Sequence, residues 1–428
     1  MAPPNKKSSR PRRFSLQALG LEYQGSGQLI VDNGGSPSFT NTALGQVVEP
    51  LDLTVSGGAK AALGSTSVRS LLVGPNSWLT FTCQTASLII SSNASVQAEG
   101  GITVDGMGSV GGSGTGAGHS LSSPVGLTAG GGGYGGNGGS SLFGVAGGVS
   151  YGSVMTLPTA PDSGGGNTTG LPGGAGGGRL TVTVNGTLAL DGRLSADGLP
   201  GGGPASGGGS GGSLYVSVGI LGGAGVISAG GGAGDPPYGG GGSGGRIAIF
   251  YGTNQFSGGI SAFGGPGAVA GGAGTVYLAP KGKGSPQLIV NNGGQRGTNT
   301  PLYFSAVADL AISGGAVVTP TSLASLNSLT IGSNSWMVYS NGYQTPLTVA
   351  GNATIQNGGG ISLNGAGFGI GVGPGAAGSA GGGGGYGGIG ASSATGAAGG
   401  TSYGSLQQPT DLGSGGGRSS LLASTSFH

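Results

Sequence analysis

The sequence predicts an all-β chain that folds as a parallel β-solenoid, and three observations support this. The chain repeats itself at about 258 residues, so that QLIVDNGG at Gln28 returns as QLIVNNGG at Gln287. Short runs of β-branched and aliphatic residues alternate with polar ones or are continuously apolar, as strands are. Glycine supplies 111 of the 428 residues and separates these runs in blocks, and no long helical period is present.

A finer repeat lies inside the long one. The segments RLTVTV, SLYVSV and RIAIFY begin at Arg179, Ser213 and Arg246, about 33 residues apart. A unit of this length, with two or three short strands and one glycine-rich loop, is typical of one turn of a solenoid. One turn cannot bury its apolar face alone, so stacking has to supply the core. We therefore expect the three segments to be neighbouring parallel strands in register.

The glycine blocks, such as AGGGGYGGNGGSS from Ala129, fall on the same side of each predicted turn. A collagen helix is excluded because glycine does not occupy every third position. Two alternatives remain open for these blocks. They either pack backbone to backbone as extended segments resembling polyproline II, or they form long surface loops.

Three motifs follow one another in the first copy: GGSGGRIAIFY from Gly241, FSGGISAFGG from Phe256 and GGAGTVYL from Gly271. In this succession the chain resembles the glycine-rich β-helix repeat units of very large bacterial surface and secreted proteins. The likeness extends over nearly all of the chain from Gln28 to Gly417. It implies a right-handed parallel β-helix in the cell envelope or outside the cell, and it implies no catalytic site.

The repeats predict three regions. Residues 1–25 form a basic arm that we expect to be disordered, residues 26–285 form a full repeat, and residues 286–428 form a partial second one. Because the second copy stops where the first continues through three more turns, we expect the chain to be a fragment of a longer protein. FSLQALGLEY is too short and too polar for a secretion signal, and no apolar run approaches the ~18 residues of a membrane span.

Positive charge is concentrated in this N-terminal arm. Five of the 14 Lys and Arg residues lie there, namely Lys6, Lys7, Arg10, Arg12 and Arg13. Such a run is either a solvated terminus or a binding segment for an anionic partner. The rest of the chain is slightly acidic and has no RGG element, so nucleic acid is not an expected partner.

Catalytic and metal chemistry have few residues to draw on. Two histidines and the single cysteine, Cys83, do not make a zinc set or a Cys-His pair, so we expect no metal, cofactor or catalytic residue. Asp105, Asp191 and Asp197 are the remaining candidates, because paired carboxylates hydrolyse glycosides. Each of them precedes a glycine, however, as in ordinary turns.

Trp78 and Trp336 recur within the sequence N-S-W. Each ring either packs against the protein or stacks on a sugar, so the two are candidate glycan contacts. Together these features predict a non-catalytic, extracellular or envelope-associated structural or adhesive repeat protein, with glycans or other copies of itself as candidate partners. The alternative is a carbohydrate-active β-helix enzyme or a lectin-like glycan-binding module.

Overall fold

The computed structural model describes residues 27–38, 40–44, 51–124, 126–152, 156–158, 160, 162–304, 307–323, 325–340, 346–378 and 381–418. The described residues form strands, turns and extended segments, and no helix occurs among them. They divide into two compact units. The larger unit comprises the described parts of Met1–Val318, Ser322–Trp336 and Leu347–Gly359, and the smaller comprises those of Thr319–Thr321, Met337–Pro346 and Gly360–His428.

The largest sheet contains fourteen strands of the larger unit, and most of its neighbouring strands follow each other in chain order. Its strands are Gln28–Asp32, Asp52–Ser56, Thr66–Val68, Ser70–Val73, Thr85–Ile90, Ala94–Val96, Arg179–Leu190, Ser213–Gly223, Arg246–Phe256, Thr275–Pro280, Gln287–Asn291, Asp309–Ser313, Ser328–Ile331 and Ala353–Ile355. All but one of its strand pairs are parallel. The all-β, mainly parallel part of the predicted fold is therefore confirmed.

The predicted pairing of the three longest segments is also confirmed. Arg179 lies beside Ser213, which in turn lies beside Arg246, and all three strands run in the same direction. This register places apolar side chains in columns, because Leu180 aligns with Leu214 and then with Ile247. All three side chains are fully buried, and each such burial stabilises the fold by roughly 1.5–3 kcal/mol.

The junction between the two long repeats interrupts the parallel order. Strand Thr275–Pro280 pairs antiparallel with Gln287–Asn291 at the start of the second copy. The six residues between these strands are too few for the crossover that a parallel pair requires, so the chain turns back as a hairpin.

A second sheet of seven strands also lies in the larger unit. Its strands are Thr42–Ala43, Lys60–Leu63, Trp78–Phe81, Gly101–Thr103, Arg193–Ser195, Val226–Ser228 and Gly259–Ser261, and its pairs are parallel. Buried side chains from both sheets, such as Val182 and Leu194, belong to one hydrophobic core. The other strands are Ser120–Ser123, Gly126–Ala129, Asn299–Phe304, Val317–Leu323, Trp336–Val338 and Gly360–Ser362.

The glycine blocks form an ordered lattice of extended backbone. Along Gly240–Gly245, successive amides donate to the carbonyls of Ala129, Val269, Gly232, Gly132, Gly272 and Ala229, at 2.8–3.0 Å. The acceptors thus return to the same neighbouring segment at every third residue. That period belongs to a polyproline-II-type helix, whereas the amides of a β-strand point alternately to two sides. The structure therefore decides for ordered packing over surface loops.

Only glycine fits at positions such as 242 and 245. A Cβ atom on Gly242 would lie 1.9 Å from the carbonyl oxygen of Gly209, and one on Gly245 would lie 2.1 Å from that of Gly212. The absence of side chains lets each segment approach its neighbours closely on every side. The high glycine content is therefore explained by packing.

Candidate functional site

Trp78 lies at the start of a strand in the second sheet, between Lys60 and Gly101 on the strands to either side. Its ring covers Gly101, where a Cβ atom would lie 2.4 Å from the ring. The indole is half-buried, and with Asn41, Lys60, Thr80 and Thr103 it lines a depression of about 240 Å³. The ring thus both packs on the sheet and leaves part of its surface open beside polar groups.

Trp336 has the same local setting. Its amide donates to the carbonyl of Ala316 at 3.0 Å, as the Trp78 amide does to that of Ala59 at 2.9 Å, and both rings are half-buried. The preceding Asn76 adopts the left-handed conformation, as does its counterpart in the second copy. The recurring N-S-W motif is therefore a turn followed by the first residue of a strand. The proposed contact of Trp78 and Trp336 with glycans stays a prediction.

The serine of this motif is buried in both copies and serves the turn. The hydroxyl of Ser77 accepts a hydrogen bond from the Gly58 amide at 3.1 Å, and the hydroxyl of Ser335 accepts one from the Gly315 amide at 3.2 Å. Each hydroxyl also donates to the backbone carbonyl two residues earlier. Backbone geometry thus explains two of the three recurring residues, and the tryptophan ring leaves part of its surface free for a ligand.

Asp105 and Asp197 lie close together, and both lie near the guanidinium of Arg193. Nη2 of Arg193 forms an ion pair with Asp197 and lies 3.9 Å from Oδ2 of Asp105. Oδ1 of Asp105 accepts a hydrogen bond from the Asp197 amide at 2.7 Å, and its Oδ2 accepts one from the Ser195 hydroxyl at 3.0 Å. The cluster therefore brings together two of the three candidate carboxylates.

Burial, together with the negative charge of Asp105, raises the pKa of Asp197 above its usual range. Hydrogen bonds from the Gly230 amide and the Ser228 hydroxyl, and the charge of Arg193, oppose that rise. Asp197 and Arg193 line an open depression of about 520 Å³, together with Phe263. The depression thus presents one carboxylate, a cation and an aromatic ring, the groups that contact sugars and other polar ligands.

Asp191 lies apart from this pair, and no hydrogen bond or ion pair joins it to them in the part of the chain that is described. Its Oδ1 accepts a hydrogen bond from the Ala224 amide, 3.0 Å away on the following unit of the fine repeat. Asp197 makes the equivalent bond to the Gly230 amide at 2.6 Å. All three carboxylates therefore accept a backbone amide of another segment, 33 or 92 residues away in sequence, and the turn role of the Asp-Gly sequences stays a prediction.

A buried polar cluster inside the glycine lattice was not found from the sequence. Tyr134 is fully buried, and its hydroxyl lies 2.6 Å from that of Ser213. Its ring contacts that of Tyr151, with centroids 5.3 Å apart. The guanidinium of Arg246, 2% exposed, lies 5.3 Å from the Tyr134 ring and donates to the carbonyl of Tyr151 at 3.0 Å.

Asp162 adjoins this cluster and is 2% exposed. Its Oδ1 accepts a hydrogen bond from the Ser109 amide at 3.1 Å, and a Cβ atom on Gly108 would overlap it. Burial raises the pKa of Asp162 to about 7, and burial also raises the pKa of both tyrosines. The sequence signal was the return of Tyr134 and Tyr151 as Tyr386 and Tyr403 in the second copy.

The predicted anion-binding arm, with Lys6, Lys7, Arg10, Arg12 and Arg13, lies outside the described residues. Within the described ranges, no three His, Cys, Asp or Glu side chains are placed to hold a metal ion. No helix in the same ranges is long and apolar enough to cross a membrane.

No family model matches the chain, and no curated protein or solved structure shows significant similarity to it.

Proposed function

We propose that this chain is part of a non-catalytic structural or adhesive repeat protein that works outside the cell or in the cell envelope. Its strands would coil as a right-handed parallel β-helix, with one full repeat of about 258 residues and a partial second one. The resemblance to the glycine-rich units of large bacterial surface proteins supports this location. Its candidate partners are glycans and other copies of itself.

One observation carries the proposal: charged and polar side chains are used to join successive segments of the stack. The carboxylates of Asp105, Asp191 and Asp197 each accept an amide of a neighbouring segment. The glycine lattice likewise satisfies backbone groups through bonds between segments that are distant in sequence. Hydrogen bonds between segments suit a rigid structural element. They also occupy polar groups that would otherwise be available for catalysis.

The proposal can be tested by incubating the chain with a panel of neutral and acidic polysaccharides, with and without Ca²⁺. We expect no release of reducing ends, and retention on immobilised glycans or on immobilised chain. Release of reducing ends that is lost in Asp197→Asn, with an unchanged circular dichroism spectrum, would overturn the structural assignment.

A carbohydrate-active enzyme or lectin-like module is the second candidate, and the cluster of Asp105, Arg193 and Asp197 favours it. The raised pKa of Asp197 beside a second carboxylate is the pattern of a general acid and its partner. The ion pair with Arg193 weighs against it, since it favours the charged form of Asp197 and so opposes the rise in its pKa. Binding of sugar without cleavage, lost in both Asp197→Asn and Phe263→Ala, would identify a lectin-like site.

A further inference from the structure

The glycine block at 383–393 in the smaller unit is folded like the block at 131–141 in the larger unit. In both, the first glycine amide donates to the carbonyl eight residues later, at 2.9 Å from Gly131 and 2.8 Å from Gly383. In both, the tyrosine amide donates to the carbonyl two residues later, at 3.0 Å. The two tyrosine rings of each copy lie 5.3 and 5.2 Å apart. The contacts of the block at 131–141 therefore indicate what the block at 383–393 is able to bind.

The block of the larger unit is covered by the segment Gly240–Gly245. Four hydrogen bonds of 2.8–3.1 Å join them: the Gly135 amide to the Gly244 carbonyl, the Gly139 amide to the Gly241 carbonyl, the Ser243 amide to the Gly132 carbonyl, and the Tyr134 amide to the Ser243 hydroxyl. The segment also packs closely, because a Cβ atom on Gly240 would lie 2.0 Å from the Gly139 carbonyl oxygen. Tyr134 is fully buried as a result.

The counterparts of these groups are open in the smaller unit. Gly387 and Ala391 correspond to Gly135 and Gly139, and no described residue accepts a hydrogen bond from their amides. Both are exposed, and a Cβ atom on Gly387 would meet nothing within 4 Å, whereas one on Gly135 would lie 2.3 Å from the Gly245 carbonyl oxygen. Tyr386 is half-buried where Tyr134 is fully buried.

We propose that Gly384, Tyr386, Gly387 and Ala391 form an open glycine face, which binds an extended polypeptide segment of the type GGGGSGG. The amides of Gly387 and Ala391 would donate to its carbonyls, and its serine hydroxyl would accept from the Tyr386 amide. The carbonyl of Gly384, the counterpart of Gly132, would accept from its serine amide. Glycine is required in the partner where it passes the Ala391 carbonyl, because a Cβ atom at the equivalent Gly240 would lie 2.0 Å from the Gly139 carbonyl oxygen. The open glycine face follows from the two lattices alone and does not depend on the proposed location of the protein.

Ala391 limits the face to one such segment. Its counterpart Gly139 also faces a third segment, where a Cβ atom would lie 2.0 Å from the Val269 carbonyl oxygen. Alanine at this position therefore excludes an equivalent of the Val269 segment. No atom of Gly240–Gly245 lies closer than 3.1 Å to that Cβ position, so the segment that binds the block is less restricted by alanine than the Val269 segment is.

The test uses the full chain and the synthetic peptide GGGGSGGR, which is Gly239–Arg246 of this sequence. We expect saturable shifts of the amide resonances of Gly384, Gly387 and Ala391 on titration with the peptide. A peptide carrying Gly240→Ala should bind at least tenfold more weakly, because its methyl group would meet the Ala391 carbonyl. A peptide carrying Gly242→Ala is the matched control and should bind equally, since the group that this position faces, Gly209, has no counterpart here.

Two variants of the chain complete the experiment. Gly387→Ala should abolish peptide binding without loss of stability, because its Cβ is free in the chain but blocks the partner. Gly369→Ala, also with nothing within 4 Å, should bind normally. Absence of saturable shifts would overturn the proposal, and so would equal binding by the parent peptide and the Gly240→Ala peptide. It would also be overturned by shifts that depend on the concentration of the chain alone, which would assign the face to a second copy.

Discussion

Replacement of Gly242 by alanine tests the glycine lattice most directly. Its added methyl group would lie 1.9 Å from the carbonyl oxygen of Gly209, and ordinary contact begins at 3.4 Å. The two segments would have to separate by about 1.5 Å. Gly209 accepts a hydrogen bond from Gly232 at 2.8 Å, and the carbonyl of Gly242 accepts one from Gly265 at 2.7 Å. A separation of this size would break or distort both bonds.

The magnitude follows from these losses. Each buried hydrogen bond contributes about 1 kcal/mol net, and a polar group left unpaired costs about 1–3 kcal/mol. Overpacking itself costs about 1–3 kcal/mol. We therefore expect Gly242→Ala to lower the free energy of unfolding by about 3–5 kcal/mol, a large part of the roughly 5–15 kcal/mol that stabilises a typical domain.

Denaturation by guanidinium chloride, followed by circular dichroism, measures this change, with Gly222→Ala as the control. Gly222 lies in strand Ser213–Gly223 with nothing within 4 Å of its Cβ position. Alanine there should stabilise the fold by about 0.4–1 kcal/mol, because the unfolded chain loses freedom. If Gly242→Ala unfolds within about 0.5 kcal/mol of the parent chain, the lattice is not packed as the structure shows.

Three further results are expected. The pKa of Asp162 is about 7 in the folded chain and 3.8 ordinarily. The free energy of unfolding should therefore fall by about 4 kcal/mol as pH rises from about 4 to 7. Denaturation at several pH values should show this slope, and Asp162→Asn should remove it. Asparagine at Asp105, Asp191 or Asp197 should change the free energy of unfolding by less than about 1 kcal/mol, because an amide oxygen also accepts the bond from the neighbouring segment and the ion pair of Arg193 is partly exposed. A loss above about 3 kcal/mol in urea denaturation would show that the negative charge itself is needed. Trp78→Ala should cost about 2 kcal/mol by thermal denaturation, less than a fully buried ring, since the indole covers Gly101 yet stays half-exposed; a variant as stable as the parent chain would leave ligand contact as the role of the ring.

Much of the strand architecture could be predicted from the sequence. RLTVTV, SLYVSV and RIAIFY alternate apolar and polar residues or are continuously apolar, and they start at nearly equal spacing. In the two alternating segments a slip of one residue would turn the apolar side chains outward, so the pattern itself predicts the alignment of Leu180 with Leu214, and the equal spacing predicts that of Ile247. The sequence also showed which tryptophans and tyrosines recur, because the long repeat places like residues at like positions.

The tertiary structure alone decided how the glycine blocks fold. A glycine block carries no side-chain pattern from which its neighbours can be read, and its hydrogen bonds join segments as distant as Gly139 and Gly241. The contact of Asp105 and Asp197 with Arg193, and the position of Arg246 over Tyr134, depend on the same packing. Alternation of apolar and polar residues fixes which face of a strand is buried. Contacts between glycine backbones follow no such pattern, so they become visible only in the folded structure.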